Sequence, residues 1–298
     1  MRNKIIITLV VLGLLLSACG PAASPTSAPV VQPTQVPVAS TAVPTAAGLS
    51  GSISVAGSTT VQPLAEELAT AFIAANPDVK INVQGGGTSV GVKSAGEGTV
   101  DIGTASRELK PEEQTQYPNL KSFTIAIDGI AIVANPDVLI GNLTKDQVRG
   151  IFSGQITNWK DVGGADKPIV VVSREECSGT RTAFQDLVMG KDANGKEIPI
   201  VDTAILQNSN GAVRTAVATT PDAIAYLSFG YLDNSVKTVK IGGVDATTAN
   251  VLNKSYPISR PLLLLTNGDP QGLVKAWIDW ILSLDGQAIV AKDYIPVK

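Results

Sequence analysis

The chain has 298 residues, 23 Lys and Arg against 26 Asp and Glu, and no histidine. A formal net charge of −3 speaks against nucleic acid or another polyanionic surface as partner. With a net negative charge, any anion must be attracted locally by a shaped site, and without histidine the commonest general base and metal ligand is missing.

The opening stretch MRNKIIITLVVLGLLLSACG places Arg2 and Lys4 before an apolar run from Ile5 to Leu16, then the small residues Ser17 and Ala18. This predicts a secretory signal over 1–18, too short for a membrane-spanning helix. The ending L-S-A-C resembles the lipobox of bacterial lipoproteins, which implies cleavage before Cys19 and lipid attachment to it. Without Arg2 and Lys4 the formal net charge falls from −3 to −5. Residues 20–50 carry no charge and hold prolines at 21, 25, 29, 33, 37 and 44 among Ala, Ser, Thr and Val. Such a composition builds no core and predicts an extended tether over 19–50, at most ~3.1 Å per residue.

From residue 51 the pattern alternates. SISVAG reads as a strand, and VQPLAEELATAFIAANP sets Val61, Leu64, Ala65, Leu68 and Phe72 at helical spacing between Pro63 and Pro77. VKINVQ, SVGVKSAGEG and TVDIGTAS continue as strand, helix and strand, which argues for an α/β body with a parallel or mixed sheet. SFTIAIDGIAIVANP and PDAIAYLSFGYL are strand-like and flank a middle block. The end of the chain returns to strand and helix in RPLLLLTNG and PQGLVKAWIDWILSL. A block inserted in a body that later resumes predicts two lobes, 51–127 with 228–298 and 128–227, joined by two crossing strands. Ligands in such architectures sit between the lobes, which close by hinge motion.

Three places share one local grammar: AGSTTVQP at 56–63, GGGTSVGV at 85–92 and CSGTRTAF at 177–184. Each sets glycines and hydroxyl residues before a predicted helix, where close backbone approach, unpaired N–H groups and hydroxyls together suit an anion. Ordinary capping and turn formation are the readier explanation of any one of them alone. The second is not a nucleotide-binding P-loop, because Val92 stands between Gly91 and Lys93. Arg174, just ahead of the third turn, is suited to gripping an oxyanion in bidentate fashion, with Glu176 a nearby carboxylate to orient it. Cys177 has no histidine to activate it, and Glu175 and Glu176 disfavour its thiolate, so the loop reads as an anion clamp and not as a nucleophile elbow.

Over nearly all of 51–298 the sequence resembles the phosphate-binding proteins of Pst-type ABC importers. The resemblance rests on AGSTTVQPL, QGGGTSVGVKS, DIGTASREL, AIDGIAIVANP, LTKDQVRGIFSGQITNWKDVGG and SREECSGTR. It implies a two-lobed Venus-flytrap fold of the type II periplasmic binding protein kind, holding one inorganic phosphate for delivery to a membrane permease. Carried over by position, the contacts would be Thr59 and Thr60, then Thr88 with Ser89, then Arg174, Ser178, Gly179 and Thr180. Ser58, Ser106, Arg107 and Glu176 are further candidate phosphate contacts, with Glu176 also in the place of the acidic residue that steadies the arginine. Two departures stand out. Cys177 occupies a position that is commonly glycine, and some members carry an aspartate that accepts phosphate's proton where this chain has Ser106. Asp128, polar within an apolar strand and followed by Gly129, becomes the candidate acceptor, the alternative being a hinge residue satisfied by nearby backbone N–H groups.

The leading expectation is a monomeric, lipid-anchored phosphate receptor, extracytoplasmic and without cofactor or metal. Sulfate or molybdate is the alternative ligand, and a sensor or adhesion role is compatible with the same fold. A phosphatase would need a metal cluster or an activated nucleophile, and the aspartates show no metal-ligand spacing.

Overall fold

The computed structural model describes residues 48–298; the signal, Cys19 and nearly all of the tether lie outside the described residues. β1 (Gly51–Gly57) buries Ile53 and Val55, and α1 (Gln62–Ala75), with Pro63 in its first turn, buries Leu64, Ala65, Leu68 and Phe72 along one face. β2 (Val79–Gln84), α2 (Thr88–Gly96), β3 (Ile102–Ala105), α3 (Pro111–Gln116) and the long β4 (Leu120–Ala134) follow. The middle of the chain forms β5 (Asn142–Leu143), α4 (Lys145–Phe152), β6 (Val170–Arg174), α5 (Gly179–Phe184), β7 (Ile205–Gln207), α6 (Asn210–Thr219) and β8 (Ala223–Ser228). The chain ends through β9 (Lys237–Ile241), α7 (Thr248–Leu252), β10 (Ser259–Asn267), α8 (Gly272–Ile281) and α9 (Leu284–Val290).

The strands run in the order β2-β1-β3-β10-β4 and continue β4-β8-β6-β7, with β9 on the other side of β4 and β5 beyond it. β4 is shared. Its residues 120–129 pair antiparallel with β10, and Ile130–Ala134 pair antiparallel with β8. β1 is parallel to both β2 and β3, and β6 is parallel to both β7 and β8, so the α/β pattern yields a mixed sheet. One core packs Leu68, Phe72, Ile125, Leu264, Trp277 and Ile281 between the first strands and α1, α8 and α9. The other gathers Ile132, Phe152, Trp159, Phe184, Tyr226 and Ile258, with the Phe184 and Tyr226 rings stacked at 4.1 Å. Each buried side chain of this size contributes about 1.5–3 kcal/mol over its exposed state.

The sequence places the return to the first lobe at residue 228, but the packing places it later. β9 pairs with β4 over 132–134, and Val239, Ile241, Val251, Tyr256 and Ile258 all enter the second core. The alternation in KTVKI gives that strand a buried face that only the second core receives. The second crossing is therefore the start of β10, where Ser259 faces Gly129 and Arg260 faces Asp128.

Glycines set how closely α2 lies on the strands. A Cβ at Gly91 would come 2.3 Å from the Thr104 carbonyl oxygen and 2.9 Å from the Gly57 Cα. Gly91→Ala should therefore cost about 1–3 kcal/mol through overpacking. A urea denaturation midpoint unchanged from wild type would contradict this contact.

Candidate functional site

The three glycine- and hydroxyl-rich turns meet. Ser58 Oγ, after β1, accepts from the backbone N–H of Thr60 at 3.2 Å, which fixes the entry into α1. At the second turn Gly87 takes φ +96°, a conformation a side chain would strain, and its N–H donates to the Gly57 carbonyl at 2.8 Å. Ser178 caps α5, its Oγ accepting from Arg181 N–H at 3.2 Å. Across the cleft Thr60 Oγ1 lies 3.1 Å from Thr180 Oγ1, and Ser89 N–H donates to the Cys177 carbonyl at 3.2 Å. Gly179 backs onto Thr88 and Ser106 so closely that a Cβ there would come 2.2 Å from Thr88 Oγ1. Thr88 and Ser106 are themselves joined, Oγ1 to Oγ at 3.3 Å. Thr59, Thr60, Thr88, Ser89, Ser106, Ser178, Gly179 and Thr180 thus form one neighbourhood, with Ser58 beneath it.

Arg174, at the end of β6, is 1% exposed and reaches the same place. Its Nη2 donates to Thr59 Oγ1 at 3.1 Å, while Nε and Nη2 grip the two carboxylate oxygens of Glu175 at 2.9 and 2.8 Å. The orienting carboxylate is therefore Glu175. Glu176, expected in that role, is exposed beside the exposed Cys177, because the chain turns outward immediately after Glu175. The parallel fork uses one edge of the guanidinium and leaves the buried Nη1 without a protein partner.

Arg107 is not brought into the cluster. Its two terminal nitrogens bind both oxygens of Glu113 at 2.7 and 2.6 Å, and Nη1 also donates to the Glu108 carbonyl at 2.8 Å. Burial would raise the Glu113 carboxyl. The bonds from Arg107 and from Lys110 N–H outweigh it and hold the group below the usual carboxylate range.

Asp128 sits where β4 passes from one core to the other, and it is fully engaged. Its Oδ2 accepts from Arg260 Nε and Nη2 at 3.1 and 2.9 Å, and its Oδ1 accepts from Ser228 Oγ and Phe229 N–H at 2.9 and 3.2 Å. Burial pushes this carboxyl up from its ordinary value, against the pull of the Arg260 charge. With two donors on each oxygen, Asp128 holds the crossing point together, and the expected lone pair for a ligand's proton is already taken.

Two residues that sequence reasoning missed complete the cluster. Arg260 Nη2 donates to Thr60 Oγ1 at 3.2 Å, and Asn210 Nδ2 donates to the same oxygen at 2.8 Å. Arg260 stands directly before an apolar run, and Asn210 opens α6. Tyr231 and Tyr294 donate their hydroxyls to the Thr59 and Thr60 carbonyls at 2.6 and 3.0 Å, and burial pushes the Tyr231 phenol up to about 12, so both remain donors. A cleft of about 980 Å³ opens beside the cluster, with Arg107, Arg181 and Arg260 in its wall. Thr59, Thr60 and Arg174 are buried and are not among the residues that line it.

Two buried guanidinium groups, each neutralised by one carboxylate and each with an unpartnered Nη1, stand among hydroxyls. Such an arrangement offers hydrogen-bond donors suited to a small oxyanion without presenting net positive charge. Among the described residues no group of three or more His, Cys, Asp and Glu could bind a metal ion.

The model of the PBP superfamily domain matches residues 42–285 of this chain. The phosphate-binding protein PstS of Bacillus subtilis is 36% identical over 253 residues, covering 83% of this chain and 81% of that protein. The crystal structure of a Clostridium perfringens protein with bound phosphate is 46% identical, with a TM-score of 0.77 over 83% of this chain and 100% of that one. The Vibrio cholerae ABC-type phosphate transport receptor is 36% identical, with a TM-score of 0.68 over 82% of this chain and 99% of that one.

Proposed function

We infer that this chain, which belongs to the PBP superfamily and to its PstS phosphate-binding proteins, is the substrate-binding receptor of a phosphate ABC importer. It takes one inorganic phosphate where the three turns meet, between the two cores. The observation that carries this reading is the pair of buried arginines, Arg174 and Arg260, each with an unpartnered Nη1 and each bonded to one of two consecutive threonines. Thr59, Thr60, Thr88, Ser89, Ser178, Gly179 and Thr180 supply the remaining contacts. Calorimetric titration with phosphate, sulfate and molybdate tests it: one phosphate per chain is expected, and tighter binding of sulfate or molybdate would assign the receptor to another oxyanion. No hydrolysis of a generic phosphate ester is expected, since the site offers donors and no activated nucleophile.

The receptor delivers phosphate to the permease as a monomer tethered outside the membrane by lipid on Cys19, as the L-S-A-C box and the charge-free tether support. Cys19→Ser should leave phosphate affinity unchanged and release the protein from the membrane fraction. Full retention of the variant in fractionated cells would sink the anchor.

A further inference from the structure

The hydrogen bonds around Thr60 fix the direction of its hydroxyl proton. Thr60 Oγ1 accepts from Asn210 Nδ2 and from Arg260 Nη2, neither of which can act as acceptor in these bonds. Both lone pairs are then taken, so the Thr60 hydroxyl donates to Thr180 Oγ1 and the Thr180 proton is left to point onward. On this side the site presents donors.

One buried acceptor does not fit that pattern. Asn210 is 0% exposed, and its Oδ1 has no partner although its Nδ2 is anchored on Thr60. An unpaired buried carbonyl oxygen is costly, and it lies on the residue whose other end touches the centre of the cluster. The other unpartnered side-chain atoms around Thr59 and Thr60 are both donors, Nη1 of Arg174 and Nη1 of Arg260. Two donors and one acceptor match an oxyanion that still carries a proton. A fully deprotonated oxyanion would turn a lone pair toward Oδ1.

Resting on the phosphate reading above, we propose that Asn210 Oδ1 accepts the hydrogen bond from phosphate's own O–H and thereby sets the preference for phosphate over sulfate. Asp128 is excluded by its four donors. Ser106 already shares its hydroxyl with Thr88 at 3.3 Å, whereas Asn210 Oδ1 is buried with no protein partner at all. The acceptor is thus a neutral amide supplied by the first residue of α6. It discriminates by leaving a buried acceptor unpaired when the wrong ligand binds, without charge repulsion.

The test is calorimetric titration of the full-length chain and of two variants, Asn210→Ala and Asn210→Asp, with inorganic phosphate and with sulfate. Asn210→Ala should lower phosphate affinity by about tenfold while changing sulfate affinity far less, so the preference narrows by about the same factor. Asn210→Asp, nearly isosteric, restores an acceptor and should keep or widen the preference; it carries the test if the alanine variant does not fold. An equal loss of both ligands in Asn210→Ala, or a narrowed preference in Asn210→Asp, means that Asn210 only packs or donates, and overturns the inference while leaving phosphate binding in place. A wild-type chain that takes up no phosphate overturns both readings.

Discussion

Replacing Arg174 with alanine is expected to weaken phosphate binding by about 2–5 kcal/mol, the usual cost of truncating one partner of a buried, hydrogen-bonded charge pair. Its side chain is 1% exposed, and its buried Nη1 has no protein partner, which leaves a donor for the anion. The effect should fall on binding more than on stability, because Glu175, left behind, is 28% exposed and can hydrate. Arg174→Lys should recover little. One ammonium cannot hold both oxygens of Glu175, reach Thr59 and still present a donor to the ligand. Titration decides: an alanine variant within a few-fold of wild type would place Arg174 outside the site.

Asp128→Ala should instead strike stability. Arg260 is 4% exposed and Asp128 1%, so removing the carboxylate leaves a buried guanidinium without its counter-charge, at about 3–5 kcal/mol. Ser228 Oγ and Phe229 N–H lose their acceptor as well. The double variant Asp128→Leu with Arg260→Met should regain much of that loss, since replacing a whole buried pair by apolar groups is often neutral. It should not regain phosphate affinity, because the donor on Thr60 is gone. Urea denaturation of the three proteins checks this. A single variant as stable as wild type would show that Asp128 is not the buried partner of Arg260.

Much of the fold was legible because its causes are local. The period of VQPLAEELATAF, the alternation of VKINVQ and the glycine-hydroxyl turns each carry their own conformational signal, and α1, β2 and the three turns follow from them. The site was legible only in part, for a physical reason. Arg260 meets Asp128 across 132 residues and Asn210 meets Thr60 across 150, and nothing in the neighbouring sequence marks either partner. Arg260 reads as a surface charge ahead of an apolar strand, and Asn210 as a turn residue. The choice between Glu175 and Glu176 rests on which way a tight turn leaves β6, and composition does not encode it. The late return to the first core was hidden in the same way, since the alternation of KTVKI says that β9 has a buried face but not which core receives it.

That late return bears on the order in which the protein matures as it is made. The second core draws on a nearly unbroken stretch, Ile130 to Ile258, joined from outside it by Ile295 and the partly buried Ile127. The first core needs both ends of the chain, because β10 fills the place between β3 and β4, and α8 and α9 supply Trp277, Ile281 and Val290. A chain emerging from its N-terminus would close the middle first and hold β1, β2 and β3 waiting, with the flanks of β3 and β4 unpaired, until the last forty residues arrive. Those open strand flanks are the segment most exposed to misassociation, and the part of the molecule a folding helper would have most reason to cover.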